Sequence, residues 1–530
     1  MEAPLISSKK SLDVLFVHPS FTNVYQALQE ALAYPALEPP YRAALTAEYV
    51  QNRGYGAAIL DTNVLGLSAE QAAAQAHAEH PRLVQIEVHG NQPSASSQLM
   101  DWVLAFTQAL KSYNPAHRVL LTGTHPAALP ERTLHEGAGD YVGRGDGFAT
   151  TLELLQQTPL DRVPGIWYKE DGKVIRGARD TLMEPREMNE TLKRAAWSLL
   201  PIEKYRAHDW HCLENLEQRQ PYMSLYTSFG CPFGCSFCCI NAPFTDGGER
   251  KSSIRCRDPK IVVSEIEEVA RLHGVHPGKK LNIKIIDEMF VLNPKHYTGV
   301  ANELIARGLH ESINIWAYAR VDTVREGHLD LLKKAGFNWL ALGIESGSAL
   351  VRDGVEKGRF GESDIARVVK SIQKAGIYIV GNYIFGLPDD TQETMQTTYD
   401  LAVALACERP NFYSAMAYPG SELHRMASQE KYPHPAQWDP TRPLLPEDVH
   451  KGGPSWIGYS QHGYSTLNLP TATLLPEEVL AFRDRTLVTY FTDPSYIGMI
   501  AQKFGDKTAR DFSAMNAIVP RRKLLEERLH

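Results

Sequence analysis

The chain has 530 residues, 43% apolar and 22% charged, with 38 glycines and 33 prolines. That ordinary globular composition excludes a disordered, collagenous or coiled-coil chain, and the length suggests about three domains at roughly 150 residues each. The net charge of −7 argues against a broad basic field for nucleic acid.

No apolar run reaches the ~18 residues that a membrane span needs; the longest, around Ile377–Phe385, is broken by Gly381 and Asn382. Met1–Lys10 lacks the apolar core of a signal peptide. Of seven cysteines, four fall within the nine residues from Cys231 to Cys239. That spacing predicts a metal site in a reducing cytoplasm rather than a secreted disulfide framework.

Residues 1–160 alternate β-branched runs with helical patterns. Strands are predicted at Leu12–Val17, Ala57–Leu60, Leu83–Val88, Arg118–Thr122 and Asp140–Val142, and helices at Tyr41–Arg53, Ser68–Glu79 and Ser97–Tyr113. This spacing predicts an α/β, flavodoxin-like, doubly wound parallel sheet with its ligand at the carboxyl ends of the strands. The loops there read His18-Pro19-Ser20, Asp61-Thr62-Asn63, His89-Gly90-Asn91-Gln92, Gly123-Thr124-His125-Pro126 and Gly143-Arg144-Gly145-Asp146-Gly147. Each alone reads equally as a tight turn; several on one edge point to a ligand that the backbone approaches closely. No Gly-x-Gly-x-x-Gly follows the first strand, which argues against a dinucleotide site.

Residues 161–215 read as a connector containing a hairpin at Asp171-Gly172. Residues 216–425 show a second alternation, with strands at Tyr222–Thr227, Leu281–Ile286, Ile313–Tyr318, Trp339–Gly343, Ile377–Ile384 and Phe412–Ala417. Six βα repeats predict a partial (βα)6 barrel with its chemistry at the C-terminal strand ends. Residues 426–530 begin rich in proline and aromatics and end helical, the pattern of a mostly helical cap or lid over the barrel mouth.

The strongest chemical signal is Cys231-Pro232-Phe233-Gly234-Cys235-Ser236-Phe237-Cys238, directly after the first barrel strand. Three thiolates on one loop suit three irons of a [4Fe–4S] cluster and leave the fourth iron open. The alternative is structural zinc, for which Cys239, Cys212 or Cys256 could supply a fourth ligand. The spacing resembles the radical S-adenosylmethionine superfamily, in which the open iron binds S-adenosylmethionine and electron transfer yields a 5′-deoxyadenosyl radical. The resemblance implies S-adenosylmethionine contacts from Asp287 and Glu288 to the amino group, Arg320 to the carboxylate and Glu345 and Ser346 to the ribose. It places Gly386 and Tyr418 near the adenine. In one respect the chain departs from the pattern: Phe229 stands where many relatives carry arginine.

A flavodoxin-like domain ahead of this barrel resembles the cobalamin-dependent branch of that superfamily (the class B radical methyltransferases). The branch implies a cobalamin site among Asn91, Gln92, Gly123, Thr124, His125, Gly145 and Asp146. No Asp-x-His-x-x-Gly occurs, so cobalt is expected without a histidine lower ligand. No cysteine precedes Cys212, which argues against a methylthiotransferase.

The expected function is methylation of an unactivated carbon of a small molecule or biosynthetic intermediate, with an electron donor such as flavodoxin or ferredoxin and no nucleic-acid partner. The alternatives are a non-methylating radical cyclisation or rearrangement on the same cofactors, and a zinc-stabilised binding or scaffold protein. For the last, Arg521-Arg522-Lys523 would be the nucleic-acid argument, although three charges on a terminal helix read as a solvated face.

Overall fold

The computed structural model describes residues 12–21, 35–90, 92–246, 249–250, 254–276, 278–358, 360–449, 455–516 and 518–526. Seven strands, β1 (Val14–His18), β2 (Ala57–Asp61), β3 (Leu83–Val88), β4 (Val119–Gly123), β5 (Tyr141–Gly143), β6 (Ile166–Glu170) and β7 (Lys173–Arg176), form one sheet in the order 2-1-3-4-5-6-7. The first five are parallel. Helices cover both faces, so β1, β3 and β4 are buried throughout and read as continuous apolar runs rather than alternating ones. The strand order reverses between β1 and β3, and the ligand crevice of such a sheet opens at that point. His18 and the 89–98 loop stand there.

The hairpin β6–β7, which the sequence places in the connector, instead extends this sheet. β6 pairs antiparallel with β5 and β7 with β6. Its turn residues Asp171 and Gly172 both have positive φ, 50° and 78°, the backbone a two-residue hairpin demands.

The second sheet has six parallel strands in chain order: Tyr222–Leu225, Leu281–Ile285, Ile313–Arg320, Phe337–Glu345, Tyr378–Phe385 and Arg409–Ser414. Consecutive strands pair through crossover helices, which curls the sheet into a partial barrel. The helix Pro259–Leu272 shows how these crossovers are specified. Asp258 caps it by accepting from the Lys260 amide, Pro259 opens it, and Val262, Val263, Ile266 and Val269 form the buried stripe.

The two α/β halves share a buried polar junction. Glu265 accepts from Tyr41 Oη at 3.0 Å, Arg257 Nη2 at 2.8 Å, the Ala195 amide at 2.8 Å and Trp197 Nε1 at 2.9 Å. Arg257 in turn donates to Tyr41 Oη and to the Tyr226 carbonyl. One carboxylate thus ties a barrel helix to the first helix of the N-terminal half and to the connector.

The C-terminal helices Pro476–Thr492, Pro494–Phe504 and Asp506–Asn516 pack Phe482, Phe491 and Phe512 into the barrel core. The 456–459 turn reaches the other way, where Trp456 and Tyr459 join the N-terminal core. Arg522 is 2% exposed and bonds Asp484 at 2.8 Å. The terminal basic run is therefore a solvated face only in part: Arg521 is exposed, while the central arginine is an internal strut.

His125, His211 and His296 are buried and His462 is half-buried, and desolvation pushes their pKa values down to about 3, 3, 4 and 3. Between pH 6.5 and those values the unfolded chain binds more protons than the folded one. Stability therefore rises with pH across that window and is lost as pH falls from 6.5. Each histidine adds a slope of up to about 1.4 kcal/mol per pH unit. His211 has neither ring nitrogen bonded among the described residues. We expect His211→Phe to flatten the acid limb of a urea-midpoint profile by about one proton; an unchanged slope would show that this imidazole is protonated in the native state.

Candidate functional site

The cysteine loop leaves the first barrel strand under tight restraint. Asp287, at the end of the second strand, accepts from the Thr227 amide and Oγ1, both at 2.5 Å, and from Ser228 Oγ at 2.6 Å. Burial nevertheless pushes its carboxyl up to about 6. Ser228-Phe229 then pairs antiparallel with Arg255-Cys256. Farther along, the Ser236 amide donates to the Val355 carbonyl at 3.1 Å, and the Ser236 carbonyl accepts from Leu423 at 3.0 Å. Cys231, Cys235 and Cys238 thus sit on a loop fixed at both ends. Burial pushes the Cys231 thiol up to about 11 and that of Cys238 well above its usual range. Such thiols become thiolates only beside cations, which iron would provide.

The strand ends carrying the predicted S-adenosylmethionine residues converge on this loop. Glu288 accepts from the Gly230 amide at 3.0 Å, while its Oε1 is buried with no partner. Burial pushes its carboxyl up to about 8. An orphaned acceptor in that state suits an ammonium ligand. Arg320 lies 3.7 Å from the Phe233 ring centroid and reaches Cys235 Sγ at 3.3 Å, but its fork is already filled by Asp322, with two bonds of 2.9 Å. Glu345 adopts φ 66° where the strand register shifts, and it pairs with Lys357 at 2.6 Å. A positive φ at a buried non-glycine residue is stored strain of the kind found at binding sites. Ser346 Oγ contacts Thr398 Oγ1 and accepts from the Ser348 amide, so it shapes the turn. Asp287 and Ser346 are spent on the loop and the turn; Glu288 keeps an open oxygen.

Gly386 has φ 80°, and a Cβ there would overlap Val479 Cγ1. Asp390 folds this loop by accepting from the Gly386 and Leu387 amides, each at 3.0 Å. Gly386→Ala combines a left-handed backbone with a clash, so we expect a loss of about 2–4 kcal/mol in urea unfolding; a loss under ~1 kcal/mol would show that the Val479 helix yields. Tyr418 Oη accepts from Gln461 Nε2 at 3.2 Å, which aligns the ring with the C-terminal turn.

Across the crevice stand the loops of the N-terminal sheet. Asn91 lies outside the described residues. Gln92 lines the gap between the two halves. Gly123 has φ 116°, and a Cβ there would strike the Val88 carbonyl. Thr124 Oγ1 meets His89 Nδ1 at 3.2 Å. His125 Nδ1 bonds Ser97 Oγ at 2.9 Å, its ring stands edge-on to Trp456 at 4.4 Å, and its Nε2 is buried without a partner. A lone imidazole nitrogen among the described residues is free to meet a polar group such as an amide. Gly145, with φ 79°, turns the next loop. Asp146 is gripped by Arg255 with bonds of 2.6 and 2.8 Å and accepts from the Met183 amide. It therefore serves a contact between the two halves, a partner on the far side of the cysteine loop that its local sequence could not reveal.

Two further contacts join the crevice to the cysteine loop. Tyr226 Oη bonds His89 Nε2 at 3.0 Å, and the Tyr226 ring stacks on Phe229 at 4.9 Å. Arg255 lies over Phe229 at 5.9 Å, and Arg42 and Arg255 flank Phe244 at 5.8 and 5.7 Å. Both arginines are paired, Arg255 with Asp146 and Arg42 with Glu87 at 3.1 Å, so what they offer the Phe229 and Phe244 rings is packing. The remaining cysteines are placed differently. Cys212 and Cys407 belong to the apolar core, Cys239 is buried beside Cys238, and Cys256 accepts from Asn293 at 3.8 Å. Among the described residues no three His, Cys, Asp or Glu side chains close on a single ion. A four-iron cluster spreads its ligands wider than one zinc ion does.

Residues 225–402 match the model of the radical SAM superfamily. The chain is 29% identical over 340 residues to an uncharacterised methyltransferase of Pyrococcus horikoshii, covering 63% of this chain and 68% of that one. It is 28% identical over 425 residues to the anaerobic magnesium-protoporphyrin IX monomethyl ester cyclase of Rubrivivax gelatinosus, covering 77% and 69%. The solved structure of the radical S-adenosylmethionine methyltransferase TsrM of Kitasatospora setae, which holds cobalamin and a [4Fe–4S] cluster, superposes with a TM-score of 0.67. The overlap covers 92% of this chain and 90% of that one at 19% identity. No helix of the described residues is long and apolar enough to cross a membrane. With the cysteine loop at the end of the first barrel strand and a doubly wound domain set against it, residues 225–402 carry a radical SAM domain, and the chain shares the fold of that solved structure.

Proposed function

We propose that the protein is a cobalamin-dependent radical S-adenosylmethionine methyltransferase acting on a small molecule. The observation that carries this reading is the bond between Tyr226, which leads into the cysteine loop, and His89, at the switch point of the N-terminal sheet. It joins the strand that leads into the cysteine loop to the strand-end loops of the N-terminal sheet, which supports two cofactors sharing one crevice. When bound, the cluster with S-adenosylmethionine would supply radical initiation and the corrinoid would supply the methyl group. Cys231, Cys235 and Cys238 would hold the cluster, with Glu288 taking the ammonium of S-adenosylmethionine. Gln92, Thr124 and His125 would face the corrin. The chain's own work is to hold these groups in register and keep water out. A one-electron donor such as flavodoxin or ferredoxin completes the system. The zinc-scaffold reading finds no support in the described residues, where no three His, Cys, Asp or Glu side chains close on a single ion.

The test is anaerobic reconstitution with iron, sulfide and cobalamin, followed by S-adenosylmethionine labelled in its methyl group, a reductant and a small-molecule extract. Label is expected to move to a low-mass acceptor with 5′-deoxyadenosine as co-product. Deoxyadenosine without label transfer would favour a radical cyclisation, the activity named for the Rubrivivax gelatinosus relative. Neither product would sink the radical reading.

A further inference from the structure

A cavity of about 290 Å³ lies between the partial barrel and the N-terminal half, which contributes Gln92 and Gln98, and it is bordered by His208, Asp209, Trp210 and the C-terminal helices. Its size is at the lower end of small-molecule sites. Trp316, Tyr318 and Tyr413 line its walls, and Arg409 and Arg483 stand at one end. Arg409 opens the last barrel strand. Its Nε and Nη1 are buried with no hydrogen-bond partner among the described residues. The rings of Phe491 and Phe512, at 4.8 and 5.4 Å, fix the guanidinium without meeting its N–H groups.

Arg483 donates to the Phe412 carbonyl at 2.8 Å and to Asp484 at 2.6 Å. Asp484 also bonds Arg522, so one carboxylate serves two guanidiniums and net positive charge remains. Lys284 is cancelled by Glu38 at 2.7 Å. Among the described residues lining the cavity, Asp209 is the one carboxylate, and burial pushes it toward its neutral form against the pull of Arg409. An arginine is always charged, and Arg409, half-buried as a residue, holds two of its three nitrogens out of solvent without a partner, which is unfavourable. A planar fork with free donors matches a carboxylate.

The strands give the cavity a direction. Arg409, Asn411 and Tyr413 alternate along one face of the last strand, and Trp316, Tyr318 and Arg320 do so along the third. The latter row ends where Arg320 touches Cys235 Sγ at 3.3 Å. The cationic end is therefore opposite the cysteine loop.

We propose that the substrate is a small organic acid with an aromatic or similarly flat apolar body. Its carboxylate is held by Arg409, with Arg483 behind, and its other end faces the cysteine loop. The inference rests on the reading of the barrel as the site of methyl transfer.

The test is calorimetric titration of the reconstituted full chain with 1-naphthoate and its neutral counterpart 1-naphthamide. This needs no turnover, so a failure here leaves the methyl-transfer reading standing, and the labelling experiment fails independently. Naphthoate is expected to bind at least tenfold tighter than the amide. Arg409→Gln should erase the preference while leaving amide affinity unchanged, and Arg409→Lys should retain part of it. Equal affinities, no binding of either probe, or a preference that survives Arg409→Gln would overturn the proposal. If Arg409→Gln loses both probes through misfolding, Arg409→Lys decides: a preference that is reduced, with amide affinity intact, supports the fork, and a full preference overturns it.

Discussion

Cys231→Ala is expected to reduce bound iron from about four per chain to near background after anaerobic reconstitution, and to abolish any product that depends on the cluster. Three thiolates on one loop are the whole protein ligand set of such a cluster, so removing one leaves two. The rest of the loop does not depend on the metal for its path. Asp287 holds its entry through Thr227 and Ser228. Val355 and Leu423 hold Ser236, and Asn241 donates to the Phe233 carbonyl at 3.2 Å. The metal-free variant should therefore melt within about 1 kcal/mol of the metal-free wild type, as expected for losing one small buried side chain. Retention of iron with Ala at 231 would mean that another residue, Cys239 first among them, completes the cluster.

The second large effect concerns stability. Glu265→Ala should cost about 3–5 kcal/mol, because it strands the buried Arg257 guanidinium and leaves the Trp197 indole and the Ala195 amide without acceptors. Both members of this ion pair have fully buried side chains. The partners come from far apart in the chain, with Tyr41 lying 224 residues from Glu265, so loss of the carboxylate loosens the two halves from each other. The measurements are a urea midpoint and limited proteolysis, and cleavage is expected in the 180–215 connector. A midpoint shift worth under ~1 kcal/mol would show that water replaces the carboxylate.

Much of the fold was legible because it rests on local pattern. Five short apolar runs separated by helical stretches gave the 2-1-3-4-5 sheet, and six more gave the partial barrel. Strand ends were found to within about three residues, as at Leu83–Val88 and Tyr378–Phe385. The cysteine loop was legible because its spacing is itself the chemistry. The hairpin β6–β7 was seen as a hairpin, but nothing in its own residues says which strand it joins. Asp146 shows the same limit at the site. Its loop reads as a ligand loop, while its partner Arg255 lies 109 residues on. Arg409 was missed altogether. A lone arginine at a strand start carries no motif, and only the packed barrel shows its donors left over.

The segment 255–257 has a consequence for how such chains can be recombined. Arg255 reaches Asp146, Arg257 reaches Tyr41, and Arg255-Cys256 is zipped to the first residues of the cysteine loop. A chimera that borrows the N-terminal domain of a relative would inherit neither acidic nor phenolic counterpart unless positions 41 and 146 travelled with it. Left alone, the donor domain would face an Arg255 with nothing to neutralise it and an Arg257 that keeps Glu265 but loses its phenolic acceptor, and the strain would fall on the cysteine loop two residues away in the ladder. The modules of this enzyme are thus exchangeable only as matched sets, and lineages that swap them should show Tyr41, Asp146, Arg255, Arg257 and Glu265 changing together or not at all.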